Sequence, residues 1–437
     1  MWLQDLFFTL VCMSCLFGFG CVSEDNKLQE KDESSTSQNY YLIQSVSITD
    51  GIQTLFILDA NTGMEVFSLS SEQIDDSRSV IIDAGVFSDE EESLLMHYPE
   101  LDASLSYNWT QAQMAPTGEL VILVEDGTDL NPKASHFLIV DTSGTVQYKI
   151  FVPYAHHSFD IFTHDDGSWS LVYLKAEPRP VADFPELNAD REWIVGDQVV
   201  WMDMSNLEIG SVDAQVKWSS FDTLVVQKDG GNFYGDNMID WTHINSIMID
   251  QQSNSLTLSI WALHSILILD INTPWTIHRA IYSTHVNEQM FIHHPQYSGY
   301  PYNSVDFMNP HGAKTSTNQD NVCFMDNSKA EAVCLSIEDS SNSITEQRTD
   351  YDHPVIAFGN VLAIPNQDAI IVNWGSSLVD IPCQIQRFDV NLRNSSWSHS
   401  IDLCSREHIR VFLGYSRLLP QQLSSFWDAF LVEEAVP

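Results

Sequence analysis

Residues 250–273 read DQQSNSLTLSIWALHSILILDINT, and two phrases inside this stretch decide the fold. The first, DQQSNSLTLSI (250–260), is a polar turn followed by a short apolar strand. The second, SILILDINT (265–273), is an apolar strand closed by an Asp and a further turn. Both recur. The turn-strand phrase returns as APTGELVILV (115–124), HDDGSWSLVYL (164–174) and PNQDAIIVNW (365–374). The strand-Asp-turn phrase returns as LFILDANTG (55–63), HFLIVDTSG (136–144), QVVWMDMSN (198–206) and IQRFDVNLR (385–393). Long helical periodicity is nearly absent, so the fold class is all-β. Alternation of two such phrases is how four-stranded blades read, because each small sheet needs neighbours to bury its faces. A degenerate unit is expected near 330. About 65 residues per unit predicts a six-bladed β-propeller over 40–437, with room for a small extra β segment near 40–110. The alternative is a pair of β-sandwich domains.

The composition fits a large core: of 437 residues, 44% are hydrophobic and 11% aromatic. With 60 Asp+Glu against 19 Lys+Arg the net charge is −41, which argues against nucleic acid as a partner, since phosphate binding needs clustered cations.

The run LFFTLVCMSCLFGFG (6–20) is short for a membrane span and suits the apolar region of an export signal. Gly20-Cys21 followed by a polar stretch resembles a bacterial lipoprotein cleavage site, with Cys21 as the acylated residue. The n-region MWLQD departs from that pattern in carrying Asp5 and no Lys or Arg. The expected organisation is a signal over 1–20, a disordered tether over 21–39 and the propeller over 40–437. The expected location is periplasmic or at the cell surface, with membrane contact only through a lipid anchor. Four cysteines remain in the body. Their spacings favour the pairs Cys323–Cys334 and Cys383–Cys404, each joining strands linked by a turn or loop in an oxidising compartment. A four-Cys zinc site is disfavoured because no CxxC occurs among these four cysteines.

The chain has no GxSxG, Walker A, HExxH or EF-hand spelling. Three histidines stand out instead: His157 in AHHSFD (155–160), His243 in DWTHINSI (240–247) and His311 in NPHGA (309–313). Each lies at the entry to a strand-turn-strand unit, and blade entries converge on a propeller axis. An isolated His at a strand start is usually a hydrogen-bonded core or turn residue. Recurrence with the blade period argues for a shared site. His293-His294 and His164-Asp165-Asp166 read as turns, with no metal site expected.

AHHSFD, DWTHINSI with LTLSI, NPHGA with VCFMDN, and FGNVLAIPNQDAIIVNWGSS (358–377) together resemble the bacterial arylsulfate sulfotransferases. The resemblance spans roughly 150–380. These are exported six-bladed propellers that move a sulfuryl group between phenols without a nucleotide donor or other cofactor. The resemblance implies that His311 becomes transiently sulfated, that His243 and Asn245 bind sulfuryl oxygens, and that His157 is a further active-site histidine. It implies small aryl sulfate and phenol substrates. A neutral imidazole is a competent nucleophile, and fixed donors would stabilise charge growing on oxygen.

One position departs from the family. Its Ser-x-Arg phrase reads Ser259-Ile260-Trp261 here, so an indole stands where an anion-clamping guanidinium is expected. Lys314, Arg279 and Arg348 are the candidate replacements, and Trp241 and Trp261 are candidate aryl contacts. Two further functions are open at this stage: a non-catalytic surface propeller that binds a ligand or partner, and a metal-dependent hydrolase.

Overall fold

The computed structural model describes residues 40–47, 53–59, 64–84, 108–125, 135–141, 143–187, 191–226, 232–234, 238–272, 274–285, 302–315, 321–329, 331–338, 343–350, 359–363, 369–374, 383–389, 395–401, 411–413 and 417–418. The export signal, Cys21, the tether, His293-His294 and Cys404 lie outside the described residues. The protein is almost entirely β: its one described α-helix is the four-residue Ser220–Thr223. No described helix is long and apolar enough to cross a membrane.

Among the described residues the strands form six sheets that follow one another along the chain. The first holds Tyr40–Ser47, Gln53–Asp59 and Glu65–Ser70, and Val411–Leu413 and Arg417–Leu418 pair antiparallel with Tyr40–Ser47. The second runs Asn108–Met114, Leu120–Glu125, His136–Val140 and Val146–Phe151, with Val80–Asp83 added in parallel at its outer edge. The third is built on Ala155–Thr163, Trp169–Pro180 and Trp193–Asp203. Asp213–Ser219 and Met238–Asp240 share the far edge of Trp193–Asp203. The fourth runs Ile244–Asp250, Ser255–Ile260, Ser265–Asp270 and Thr276–Ser283, again with a parallel outer strand, Tyr302–Val305. The fifth holds Pro310–Thr315, Asn321–Asp326, Glu331–Glu338 and Ser343–Asp350. The sixth holds Asn360–Ala363, Ala369–Asn373, Cys383–Asp389 and Ser395–Ile401.

The recurring phrases are the middle strands of these sheets. The uniformly apolar middle strands follow from burial on both faces. In Leu120–Glu125, Leu120, Ile122 and Val124 pack against Leu55 and Ile57 of the first sheet. Val121 and Leu123 point the other way, into a core with Phe159 and Leu171 of the third. Ser265–Asp270 divides in the same fashion. Leu267 and Leu269 join Val172 and Val199, whereas Ile266 and Ile268 join Val322 and Phe324. A one-residue slip would exchange the two faces of such a strand, and because both faces are apolar the local pattern alone does not set its register. The degenerate unit near 330 is the strand Glu331–Glu338 of the fifth sheet. The Cys323–Cys334 disulfide is present, joining directly opposed residues of neighbouring strands with Cα atoms 4.1 Å apart.

Successive sheets are also cross-linked by polar side chains bonded to the next sheet's backbone. Trp109 N–H donates to Gln53 Oε1, and Phe159 N–H donates to Gln111 Oε1 at 2.8 Å. Asp160 Oδ2 accepts from Ile249 N–H at 2.7 Å. Ala313 N–H donates to Ser259 Oγ, and His311 Nδ1 bonds Gly359 O, each at 2.8 Å. Each link satisfies a backbone group that a regular ladder would leave unpaired in a buried position.

Candidate functional site

His157, His243 and His311 all sit at or just before the first strand of a sheet, in the third, fourth and fifth sheets. Each of these strands departs from regular pairing close to its histidine. The ladder skips between Phe159 and His156 opposite Tyr173 and Leu174, between Ile244 and Ser246, and between His311 and Lys314. Bulges re-aim side chains, and two of the three histidines have a left-handed backbone: φ is 54° at His157 and 46° at His243. Such angles are uncommon away from glycine and mark positions held by their surroundings. Gly312, beside His311, has φ 61°.

Two of the histidines are in contact, and all three share one electrostatic neighbourhood. The rings of His157 and His243 lie edge-on, with centroids 4.9 Å apart. His311 acts electrostatically on His157, and His243 acts on both. Asn245 is fully buried, and its Nδ2 donates to Pro310 O at 3.0 Å, tying down the residue before His311. One N–H of the amide expected to bind sulfuryl oxygens is therefore occupied in holding the strand. The Trp261 ring lies 5.2 Å from that of His243. Trp261 N–H donates to His243 O, so the turn after Ser255–Ile260 closes back onto the histidine. Trp261 is half-buried, as is His243, and these two form the more open side of a cluster in which His157 and His311 are buried.

Each imidazole has a fixed partner. His311 Nδ1 bonds Gly359 O at 2.8 Å; a carbonyl only accepts, so Nδ1 carries the proton and Nε2 the lone pair. Burial lowers the His311 pKa to about 3; the Gly359 bond opposes that and the neighbouring His243 adds to it. His157 is likewise pushed well below the usual histidine range, by burial first and then by His243, His156 and His311. Both are neutral at pH 7. His243 Nδ1 bonds Asp240 Oδ2, the carboxylate that ends the short strand Met238–Asp240.

Sequence reasoning passed over the partners on the far side of His157. His156 Nδ1 and His157 Nδ1 are 2.9 Å apart, and His156 Nε2 lies 2.8 Å from Asp197 Oδ1. Burial opposes a charge on His156, but the hydrogen bond and charge of Asp197, with Glu125, outweigh it and raise its pKa. Asp197 Oδ2 in turn accepts from Thr242 Oγ1 at 2.5 Å and Ile244 N–H at 2.9 Å. Glu125 accepts from the His157 backbone N–H. The available signal was the doublet itself: regular strand alternation would send the two rings to opposite faces, and the bulge and left-handed backbone at His157 bring them together instead.

The candidate arginines stand elsewhere. Arg279 and Arg348 lie on the fourth strands of their sheets, three strand spacings or about 14 Å from the first strands. Arg348 is bound by Glu331 and Glu346. Neither replaces the expected arginine, because the sheet's width separates them from the cluster. Lys314 is half-buried, opposite Cys323 beyond the bulge that follows His311. Trp241 is fully buried, stacked on Phe221 with centroids 5.1 Å apart, and is a packing residue. His164-Asp165-Asp166 is a turn, in which Asp166 Oδ1 accepts from Ser168 N–H and Oγ–H.

No protein-family model matches the chain, and no curated protein matches its sequence. Several solved structures are similar in outline. The periplasmic gluconolactonase PpgL of Pseudomonas aeruginosa is 10% identical, with TM-score 0.42 over 87% of this chain and 99% of that one. A Bacteroides caccae protein of unknown function is 9% identical, with TM-score 0.42 over 86% and 98%. TolB from Acinetobacter baumannii is 10% identical, with TM-score 0.40 over 87% and 65%. Likeness at this level says nothing about activity.

Proposed function

We propose that this chain is an exported, lipid-anchored six-bladed β-propeller of the arylsulfate sulfotransferase type, with His311 as its nucleophile. The observation that carries the reading is the convergence of His157, His243 and His311 from three successive sheets, with His311 neutral and its proton fixed on Nδ1. In the first half-reaction the His311 Nε2 lone pair attacks the sulfur of an aryl sulfate. The N–S bond forms as the S–O(aryl) bond breaks, and the phenolate leaves with that bond's electrons. In the second, an acceptor phenolate attacks the same sulfur, the N–S bond breaks and the lone pair returns to His311. Charge growing on the oxygens requires fixed donors, a role for the histidines around His311. Export is supported by the Cys323–Cys334 disulfide. The six-bladed ring is supported by six sheets in chain order and by the pairing of Val411–Leu413 with Tyr40–Ser47.

A second reading is a non-catalytic propeller that binds a ligand or partner. Trp261 favours it, as does the His311–Gly359 bond, which also serves as one of the sheet-to-sheet links. Incubation with 4-nitrophenyl sulfate and a phenol separates the two. The catalytic reading expects acceptor-dependent release of nitrophenol that His311→Ala abolishes. A folded protein that binds aryl sulfates without turnover supports the second.

A further inference from the structure

We propose that His156, held as an imidazolium against Asp197, is a proton reservoir and positioning residue: it donates through Nδ1 to His157 and so fixes His157 as an Nε2–H donor facing a leaving oxyanion. The inference rests on the sulfuryl-transfer reading only for the identity of that oxyanion, a phenolate.

The geometry leaves few arrangements. His156 Nε2 faces a carboxylate oxygen at 2.8 Å, so that nitrogen must carry hydrogen. Between the two Nδ1 atoms, 2.9 Å apart, there is room for one proton. If it belongs to His157, then His157 Nε2 is an acceptor; if it belongs to His156, then His156 is doubly protonated and His157 Nε2 carries the hydrogen. The groups facing His156 favour the second arrangement. Asp197 comes from the third strand of its own sheet, oriented by Thr242 and Ile244, and its N–H is held by Ser220 Oγ at 2.9 Å. Burial opposes a charge on His156, as does His243, but Glu125 reaches in from the second sheet and with Asp197 outweighs both. Burial first, and then the neighbouring His243, His156 and His311, act against a charge on His157. The extra proton therefore resides on His156.

This supplies what Trp261 removes. Without a guanidinium, charge on the departing phenolate is neutralised by a proton instead. The His157 Nε2–H proton passes to the phenolate oxygen as the His156 Nδ1–H proton passes to His157 Nδ1. His156 is left neutral, its Nε2–H still 2.8 Å from Asp197 Oδ1. The acceptor phenol reverses both transfers, so protons balance over the cycle.

The test is histidine-selective ¹⁵N NMR of the full chain at pH 7. The expected pattern is a doubly protonated His156 and an Nε2–H tautomer at His157. Asp197→Asn should deprotonate His156 and move the His157 proton to Nδ1, whereas Thr242→Val, which keeps the carboxylate, should preserve the pattern. A wild-type His157 with Nδ1–H overturns the proposal, as does a Thr242→Val spectrum that changes like that of Asp197→Asn. In kinetics, Asp197→Asn should slow phenyl sulfate, with its basic leaving group, about tenfold more than 4-nitrophenyl sulfate. Equal slowing overturns the proton-transfer role. The expected NMR pattern in a protein that turns over no aryl sulfate would support the tautomer assignment while removing the sulfuryl-transfer reading.

Discussion

At the residue scale, His311 Nδ1–H donates to Gly359 O, and burial keeps the ring neutral down to about pH 3. A neutral nucleophile does not lose its lone pair in mild acid, so turnover should not fall with a histidine-like pKa near 6.5 between pH 7 and 5. A titration of kcat/KM with that pKa would contradict the assignment of His311. The same residue sets a slope in stability. In the unfolded chain it titrates near 6.5 and when folded near 3, so its contribution is complete above pH 6.5 and lost as the pH falls. At pH 5 the loss is about 2 kcal/mol. His157 acts with the same sign, while His156, whose pKa is raised, adds stability below pH 6.5 that disappears as the pH rises through its folded value. Within this cluster, two histidines against one make acid destabilising. A His311→Gln variant should lose less stability from pH 7 to pH 5 than the native protein, measurable by urea unfolding at the two pH values.

At the scale of elements, the site depends on how closely the Ser220–Thr223 helix approaches the strand Trp193–Asp203. A Cβ at Gly196 would fall 2.4 Å from Ser220 Oγ and 2.8 Å from Phe221 Cε2. Gly196→Ala should therefore destabilise the protein by about 1–3 kcal/mol and disturb Asp197, whose N–H bonds Ser220. Thermal unfolding with and without the substitution checks this. Cys323→Ala opens the 11-residue link within the fifth sheet and should cost about 2–3 kcal/mol. An unchanged melting temperature under reductant would contradict that. These elements also show what the sequence made legible. SILILD and LVILV announced buried strands, because period-2 burial on two faces yields an uninterrupted apolar run. The placement of His157, His243 and His311 at first strands followed from the same repeat. The partners did not. Asp197 lies 41 residues after His156, and Asp197, Glu125 and Gly359 come from strands or sheets whose register the local sequence does not specify. The bulges at His157 and Asn245 have no glycine to announce them, whereas Gly312 supplies one beside His311.

At the scale of the whole molecule, the net charge of −41 is a self-repulsion that salt screens. The melting temperature should rise between about 10 mM and 150 mM salt, over which the Debye length shortens from about 30 to 8 Å. Pairing of Val411–Leu413 and Arg417–Leu418 with Tyr40–Ser47 joins the two ends of the described chain in one sheet. Three buried or half-buried imidazoles from successive sheets are the feature this scaffold holds together, and their chemistry is the central claim. The most direct measurement is phenol-dependent release of nitrophenol from 4-nitrophenyl sulfate by the native protein beside His311→Ala. Release with ping-pong dependence on donor and acceptor, absent in the variant, is the predicted result. Equal release by the variant, or none from a folded native protein across several aryl sulfates, would contradict it.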